Sequence, residues 1–244
     1  MRRVGIIGAG LIATPVIRAL SDGTAGAWRL AAVLAREART INGIEVLDDV
    51  DTFLGSPIDL VIEAAGPKAL SEWGVRALAI ADVWTVSGVA LADRALETAL
   101  ATAATASRHR LRLATGAIAG LDGVATAAVD PAARLHITIS VAPTEQPRMV
   151  LFSGSVRDAA QRFPDGVNVA IAAALAGPGL DAATLDVVRP GPGEAREIRL
   201  VVESRYGRFE TVSHPRVDPA AGVHTVAANL IAALRRCDRP VWVG

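Results

Sequence analysis

The sequence predicts an α/β fold. It has an N-terminal doubly wound parallel sheet, a second domain of α+β type, and a C-terminal helix that returns to the first domain. Three observations carry this. Short apolar runs alternate with helical patterns from the N-terminus to about residue 115, and most of these runs exit into small residues. The first run passes into a helix through glycines at fixed spacing. From Leu135 onward the pattern changes to strands of alternating apolar and polar residues with two helices among them.

The first strand, Val4–Ile7, breaks into Gly8-Ala9-Gly10-Leu11-Ile12-Ala13 and continues as a helix to Leu20. Gly8 permits a tight turn, Gly10 lets the backbone approach a pyrophosphate, and Ala13 allows close helix–strand packing. The helix start presents unpaired amides and a partial positive charge to phosphates. These features predict a dinucleotide-binding Rossmann unit, with Gly8, Gly10, Leu11 and Ile12 around the phosphates. A glycine-rich turn that binds nothing would show the same six residues, so the rest of the crevice has to decide.

Trp28–Leu34 is the second strand. A carboxylate near its end would accept from the ribose hydroxyls of NAD, but Arg36 stands there, and a guanidinium can hold a 2′-phosphate by two hydrogen bonds. NADP is therefore the expected cofactor, with NAD possible through Glu37. Pro57–Gly66 is an apolar strand beside the first, and its carboxyl end faces the cofactor; Ala65 and Gly66 allow close backbone approach there. A helix over Lys68–Ala79 follows, then a strand over Asp82–Val86 whose exit, with Ser87 and Gly88, completes the crevice. Asp93–Ala106 is helical, Arg110–Ala114 a short strand, and Thr115–Gly120 a second glycine-bearing turn before a short helix.

In the second domain His136–Val141 and Met149–Phe152 read as strands. Ser155–Phe163 is a capped helix, with Ser155 at the cap and Asp158 three residues on. Asn168–Ala176 is another helix, closed by Gly177-Pro178-Gly179. Strands over Leu185–Val188, Glu197–Ser204 and Phe209–Ser213 follow, the last two as a hairpin through Arg205–Arg208. Val223–Arg235 is an amphipathic helix. The expected domains are 1–115 with 220–244 for the dinucleotide, and 116–219 for substrate. A single α/β domain with an embellished edge is the simpler alternative.

Composition narrows the function classes. Acidic and basic residues balance at 25 each, which gives no electrostatic case for nucleic acid or an anionic membrane surface. The 51% hydrophobic content is mostly alanine and valine, with no run able to span a bilayer. The single cysteine excludes an internal disulfide and a multi-cysteine metal site. No two of the four histidines have the i, i+4 spacing of a helical metal pair, so no metal is expected. The chain opens directly on a strand pattern, which points to a cytoplasmic protein.

Together these residues resemble the L-aspartate dehydrogenase family over nearly the whole chain. The segments that carry the resemblance are GIIGAGLIA, VIEAAGPKAL, TVSGVALAD, LATGAIAGLDG, FSGSVRDAAQRFPDGVNVAIAAALAGPGLD and the closing YGRFE hairpin with its helix. The resemblance implies a Rossmann domain plus a catalytic domain, a homodimer, and reversible NAD(P)-dependent oxidative deamination of aspartate. Asn168 matches the family's asparagine-valine-alanine motif. The substrate side departs from it. Glu194 and Arg196 stand where the family has an asparagine-x-histidine pair, and Asp218-Pro219-Ala220-Ala221-Gly222 replaces an asparagine-proline-lysine-threonine-serine stretch. The family's lysine-proline is missing around Pro143–Pro147.

The catalytic candidates follow from these departures. A guanidinium stays protonated, so Arg196 cannot be the base an imidazole can be. It can grip a substrate carboxylate by a two-point fork, or it can pair with Glu194 or Glu197 on a surface strand. Glu194 becomes an acid or base if burial raises its pKa, and is otherwise a solvated loop residue. His224 is the histidine best placed to titrate near neutrality, with His214 second. Asn168 can orient a substrate or nicotinamide amide, or cap its helix. The expected function is hydride transfer to or from an amine or imine carbon of a small carboxylated substrate, with imine reduction favoured. A catalytically inactive nucleotide-binding sensor or partner protein, and a carbonyl reductase, are the alternatives.

Overall fold

The structure, a computed structural model, describes residues 2–41, 43–142 and 144–241. They divide into two units, 1–114 with 217–244, and 115–216.

The first unit begins with β1 (Arg2–Ile7), α1 (Ala13–Ser21) and β2 (Trp28–Leu34). A small hairpin, β3 (Arg39–Ile41) and β4 (Ile44–Val46), and a short α2 (Val50–Leu54) follow. Then come β5 (Leu60–Glu63), α3 (Pro67–Leu78), β6 (Asp82–Thr85), a 3-10 turn over Gly88–Ala92, α4 (Arg94–Ser107) and β7 (Leu111–Leu113). The five long-range strands form a parallel sheet in the order β2-β1-β5-β6-β7. β5 is buried along its whole length, which is why it reads as an unbroken apolar run rather than an alternating one. α1 buries Ala13, Val16, Ile17 and Leu20, the i, i+3, i+4, i+7 stripe of a helix with one covered face. Asp93 caps α4 by accepting from the Ala95 and Leu96 amides.

The second unit holds α5 (Leu121–Ala127), β8 (Arg134–Ser140), β9 (Met149–Ser155), α6 (Val156–Arg162), α7 (Asn168–Ala176), β10 (Thr184–Arg189), β11 (Ile198–Ser204) and β12 (Gly207–Ser213). Its sheet runs β12-β11-β8-β10-β9, with β8 and β10 parallel and the other pairs antiparallel. Leu135, Ile137 and Ile139 of β8 and Ile198, Leu200 and Val202 of β11 are buried in alternation, the period of a sheet with one apolar face. The capping pair of α6 forms as expected, with Ser155 Oγ accepting from the Asp158 amide and donating to its carboxylate.

The tail returns to the first unit. β13 (Val217–Asp218) and β14 (Val223–His224) form an antiparallel pair before α8 (Thr225–Arg236). Ala227, Leu230, Ala233 and Leu234 of α8 join the core that contains α1 and Trp28. Trp28 Nε1 donates to Leu234 O at 3.2 Å, and Arg235 Nε donates to Thr24 O at 2.6 Å. Among the described residues, no helix is long and apolar enough to cross a membrane.

Candidate functional site

The connection from β1 runs to β2 on one side of the sheet, and the chain then continues at β5 on the other. That reversal places a crevice at the carboxyl ends of β2, β1 and β5, where α/β sheets bind ligands. A cavity of about 670 Å³ opens there, and its lining includes Gly8, Gly10, Arg36, Ala65, Lys68 and Trp73. This is within the usual size range for a small-molecule site.

Gly8 sits at φ 115°, and a Cβ on it would lie 2.7 Å from Ala64 O and 2.9 Å from Ala65 N. Only glycine lets the turn after β1 meet the exit of β5 this closely. Its amide donates to Leu34 O at 2.8 Å, so the turn is tied to β2 as well. Gly10 differs: beyond its chain neighbours, a Cβ there would meet no atom of the described residues within 4 Å, which leaves open space beside the backbone. α1 has no side-chain cap and no acidic residue in its first turn. Its amide end and partial positive charge are therefore left for an anion, and the cradle fits a dinucleotide pyrophosphate.

Charged side chains of both signs line the cavity, Arg36, Arg39 and Lys68 together with Glu37, Asp48 and Glu72. Arg36 and Glu37 follow β2, Arg39 opens β3, and Lys68 lies in the first turn of α3. Arg39 Nη2 donates to Ala9 O at 3.3 Å, so the β3–β4 hairpin reaches over the glycine turn. Arg39 does not stand out in the sequence, because three-residue strands carry no legible period. Lys68, the only lysine of the chain, was the one available signal.

Several expected cofactor residues do not line this cavity. Leu11 is exposed, Ile12 holds the N-cap position of α1, and Gly66 holds that of α3 at φ 116°. Ser87 and Gly88 are buried where β6 enters the 3-10 turn. Beneath them lies Glu63, 1% exposed at the end of β5, to which the sequence assigns no role. Its Oε1 accepts from the Ala65 and Gly66 amides at 2.7 and 2.8 Å, and the Thr85 hydroxyl donates to its Oε2. Thr85 Oγ1 in turn accepts from the Ser87 amide at 2.9 Å. Burial pushes the Glu63 carboxyl above its ordinary range, against the pull of these donors. The nearby Ser87 hydroxyl is buried and has no hydrogen-bond partner among the described residues.

In the second unit, Glu194 is exposed. Its Oε2 accepts from the Gly191 amide at 3.1 Å and from Arg148 Nη1 at 2.6 Å, and these hold the carboxyl below its usual range. That is the opposite of the shift a proton donor near neutrality needs. Arg196 is also exposed and makes no ion pair among the described residues. Its two expected partners are engaged elsewhere, Glu194 with Arg148 and Glu197 with Arg199 at 3.5 Å. His214 Nδ1 lies 3.1 Å from the backbone oxygen of Arg196. Asn168 is the first residue of α7, and Val167 holds the cap position, so the capping role expected for Asn168 is not realised. The rewritten Asp218–Gly222 stretch serves a turn, with Asp218 Oδ1 accepting from the Ala221 amide at 3.1 Å. In the shortened loop, Pro143 lies outside the described residues.

His224 caps α8. Its Nδ1 accepts from the Val226 amide at 3.2 Å, and burial lowers its pKa below that of free imidazole. The unfolded chain therefore takes up this proton first. The cap's contribution is complete above about pH 6.5 and is lost as pH falls through the lowered folded-state value. His224→Asn, which can cap without titrating, should flatten the pH dependence of the melting temperature between pH 5 and 7. His224→Ala should cost about 1 kcal/mol at neutral pH. Calorimetry of the three proteins across that range checks both.

Residues 111–237 match the family model for aspartate dehydrogenase, C-terminal, and residues 8–114 match that for homoserine dehydrogenase, NAD binding domain. The chain is 34% identical to L-aspartate dehydrogenase 2 of Bordetella pertussis over 257 residues, covering 96% of each protein. It is 35% identical to L-aspartate dehydrogenase of Ruegeria pomeroyi over 260 residues, covering 96% of this chain and 92% of that one. In fold it is similar to the crystal structure of aspartate dehydrogenase from Thermotoga maritima, with a TM-score of 0.81 at 21% identity and 100% coverage of both chains.

Proposed function

Since the chain belongs to the aspartate dehydrogenase family and is an NAD(P)-dependent oxidoreductase, we propose that it reduces a preformed imine of a small carboxylated substrate. The observation that carries this reading is the chemistry at Glu194 and Arg196. Glu194 is held ionised by Arg148 and the Gly191 amide, and Arg196 carries a fixed charge. Neither exchanges a proton near neutrality. Assembling an imine from a keto acid and ammonia demands several proton transfers, whereas a preformed, protonated imine needs only hydride and a held geometry.

A reduced nicotinamide, when bound, supplies that hydride. The imine carbon gains it, and the electron pair of the C=N bond moves to nitrogen. The unpaired guanidinium of Arg196 grips the substrate carboxylate by a fork. Asn168 orients an amide or the substrate, and His224, neutral with Nδ1 occupied as a cap, acts at most as an Nε2–H donor. In the cleft the α1 amides hold the pyrophosphate. Arg36, with Arg39 beside it, holds a 2′-phosphate, which makes NADP the preferred cofactor. The protein works as a homodimer in the cytoplasm.

Two measurements test the reading. For the reaction, kcat/KM for reduction of a cyclic α-imino acid should exceed that for oxidation of aspartate by at least about tenfold; aspartate turnover of about 10 per second would overturn it. Cofactor binding without turnover on any imine, amine or carbonyl compound would favour a sensor instead. For the cofactor, Arg36→Ala should weaken NADP binding about tenfold and leave NAD within about twofold, because one charge-assisted contact is lost from the phosphate alone. Equal losses for both would remove Arg36 from that role.

A further inference from the structure

We infer that Glu63 is a positioning residue that sets the polarity of the cofactor cleft along the exit of β5. The inference rests on the nicotinamide-cofactor reading and concerns how the two halves of that cofactor are told apart. Each amide from 64 to 66 is already engaged. Ala64 N donates to Ile7 O at 2.8 Å, and the Ala65 and Gly66 amides both donate inward to Glu63 Oε1. The carbonyls of Ala64 and Ala65 accept no hydrogen bond among the described residues. The backbone at Ala64 and Ala65, both of which line the cavity, therefore offers a ligand no amide donor, and its carbonyls are left as acceptors.

A stretch of backbone that offers only acceptors favours ligand groups that donate, such as ribose hydroxyls and a carboxamide N–H, and it disfavours phosphates. The opposite holds at the glycine turn, where the uncapped end of α1 presents donors and partial positive charge. One cleft thus has an end with backbone donors and a side whose backbone offers only acceptors, matched to the pyrophosphate and to the ribosyl-nicotinamide half, with Lys68 a side-chain donor in the same lining. Glu63 makes the division. Without its carboxylate, two amides at the start of the twelve-residue α3 would be free to turn outward and form a second anion-binding end. With it, that end is occupied from within by a buried carboxylate. Thr85 fixes the other carboxylate oxygen and accepts from the Ser87 amide, so the β5 and β6 exits are locked together behind the wall.

Titration of the full chain with the reduced dinucleotide and, separately, with ADP or its 2′-phosphate tests this, since ADP reaches the glycine turn but carries no ribosyl-nicotinamide. Glu63→Ala should weaken the dinucleotide about tenfold or more and leave ADP within about twofold. Glu63→Gln keeps an oxygen facing the two amides and should return affinity to within about threefold of wild type. Thr85→Val, which removes the hydroxyl and with it both the donor to Glu63 and the acceptor of the Ser87 amide, should weaken the dinucleotide about threefold and again spare ADP; it carries the test if Glu63→Ala does not fold. Parallel loss of both ligands would mean a purely structural role and would overturn the inference. So would unchanged dinucleotide affinity in the alanine and valine variants. A wild-type protein that binds no dinucleotide would instead sink the cofactor reading, and this inference with it.

Discussion

Gly8→Ala loses nicotinamide-dependent turnover by at least about a hundredfold and melts at a clearly lower temperature, whereas Gly10→Ala loses binding without losing stability. The contrast follows from what each added methyl meets. At position 8 the backbone lies at φ 115°, where an L side chain is strained, and the new Cβ would sit 2.7 Å from Ala64 O. Strain and overlap together cost about 2 kcal/mol or more. The structure relieves them by parting the β1 turn from the β5 exit, which are the two walls that must face the same ligand. At position 10 the methyl meets, beyond its chain neighbours, no atom of the described residues within 4 Å. It occupies the space through which a pyrophosphate approaches the backbone, so the cost falls on binding alone. Thermal melts and cofactor titrations of the two variants, run side by side, separate these effects. Equal stability losses at both positions would show that Gly10 is a packing residue and not an approach path.

Arg196→Ala should lower kcat/KM for a carboxylated imine about a hundredfold while leaving the same imine without its carboxylate unaffected within about threefold. A charge-assisted fork is worth about 3 kcal/mol when one partner is removed. Arg196→Lys should recover only part of the loss, because an ammonium is a point charge and cannot make the parallel pair. Glu194→Gln should leave the shape of the pH–rate profile between pH 6 and 8 unchanged, since the wild-type carboxyl is held below its usual range and does not titrate there. A profile limb near neutrality that vanishes in Glu194→Gln would assign that carboxyl the proton-transfer role that its contacts with Arg148 and Gly191 argue against.

The parts of this molecule legible in its sequence are those set by local chemistry. The turn after Ile7 is written in the spacing of Gly8, Gly10 and Ala13. β2 and α7 begin and end where their apolar patterns do, at Trp28–Leu34 and Asn168–Ala176. The Ser155–Asp158 cap is a pair three residues apart. What escapes depends on partners distant in the chain. Glu63 looks like an acid that happens to end an apolar strand, until Thr85, 22 residues on, is found donating to it. Glu194 becomes a settled carboxylate only because Arg148, 46 residues earlier, reaches it. The β3–β4 hairpin escapes for another reason, since strands of three residues are too short to show a period, and Arg39 is hidden with it. His224 lies between these cases. An amphipathic pattern from Val223 marks the helix, but the imidazole sits just outside it as the cap, which removes its Nδ1 from any proton transfer.

The most direct test of hydride transfer to an imine carbon follows the hydride itself. Reduction of a cyclic α-imino acid with cofactor carrying deuterium at the transferring C4 position, read by mass spectrometry and proton NMR of the product, should place one deuterium on the α-carbon of the amine for each cofactor oxidised. Deuterium found on an alcohol carbon when carbonyl substrates are offered, with none entering any amine, would contradict the account.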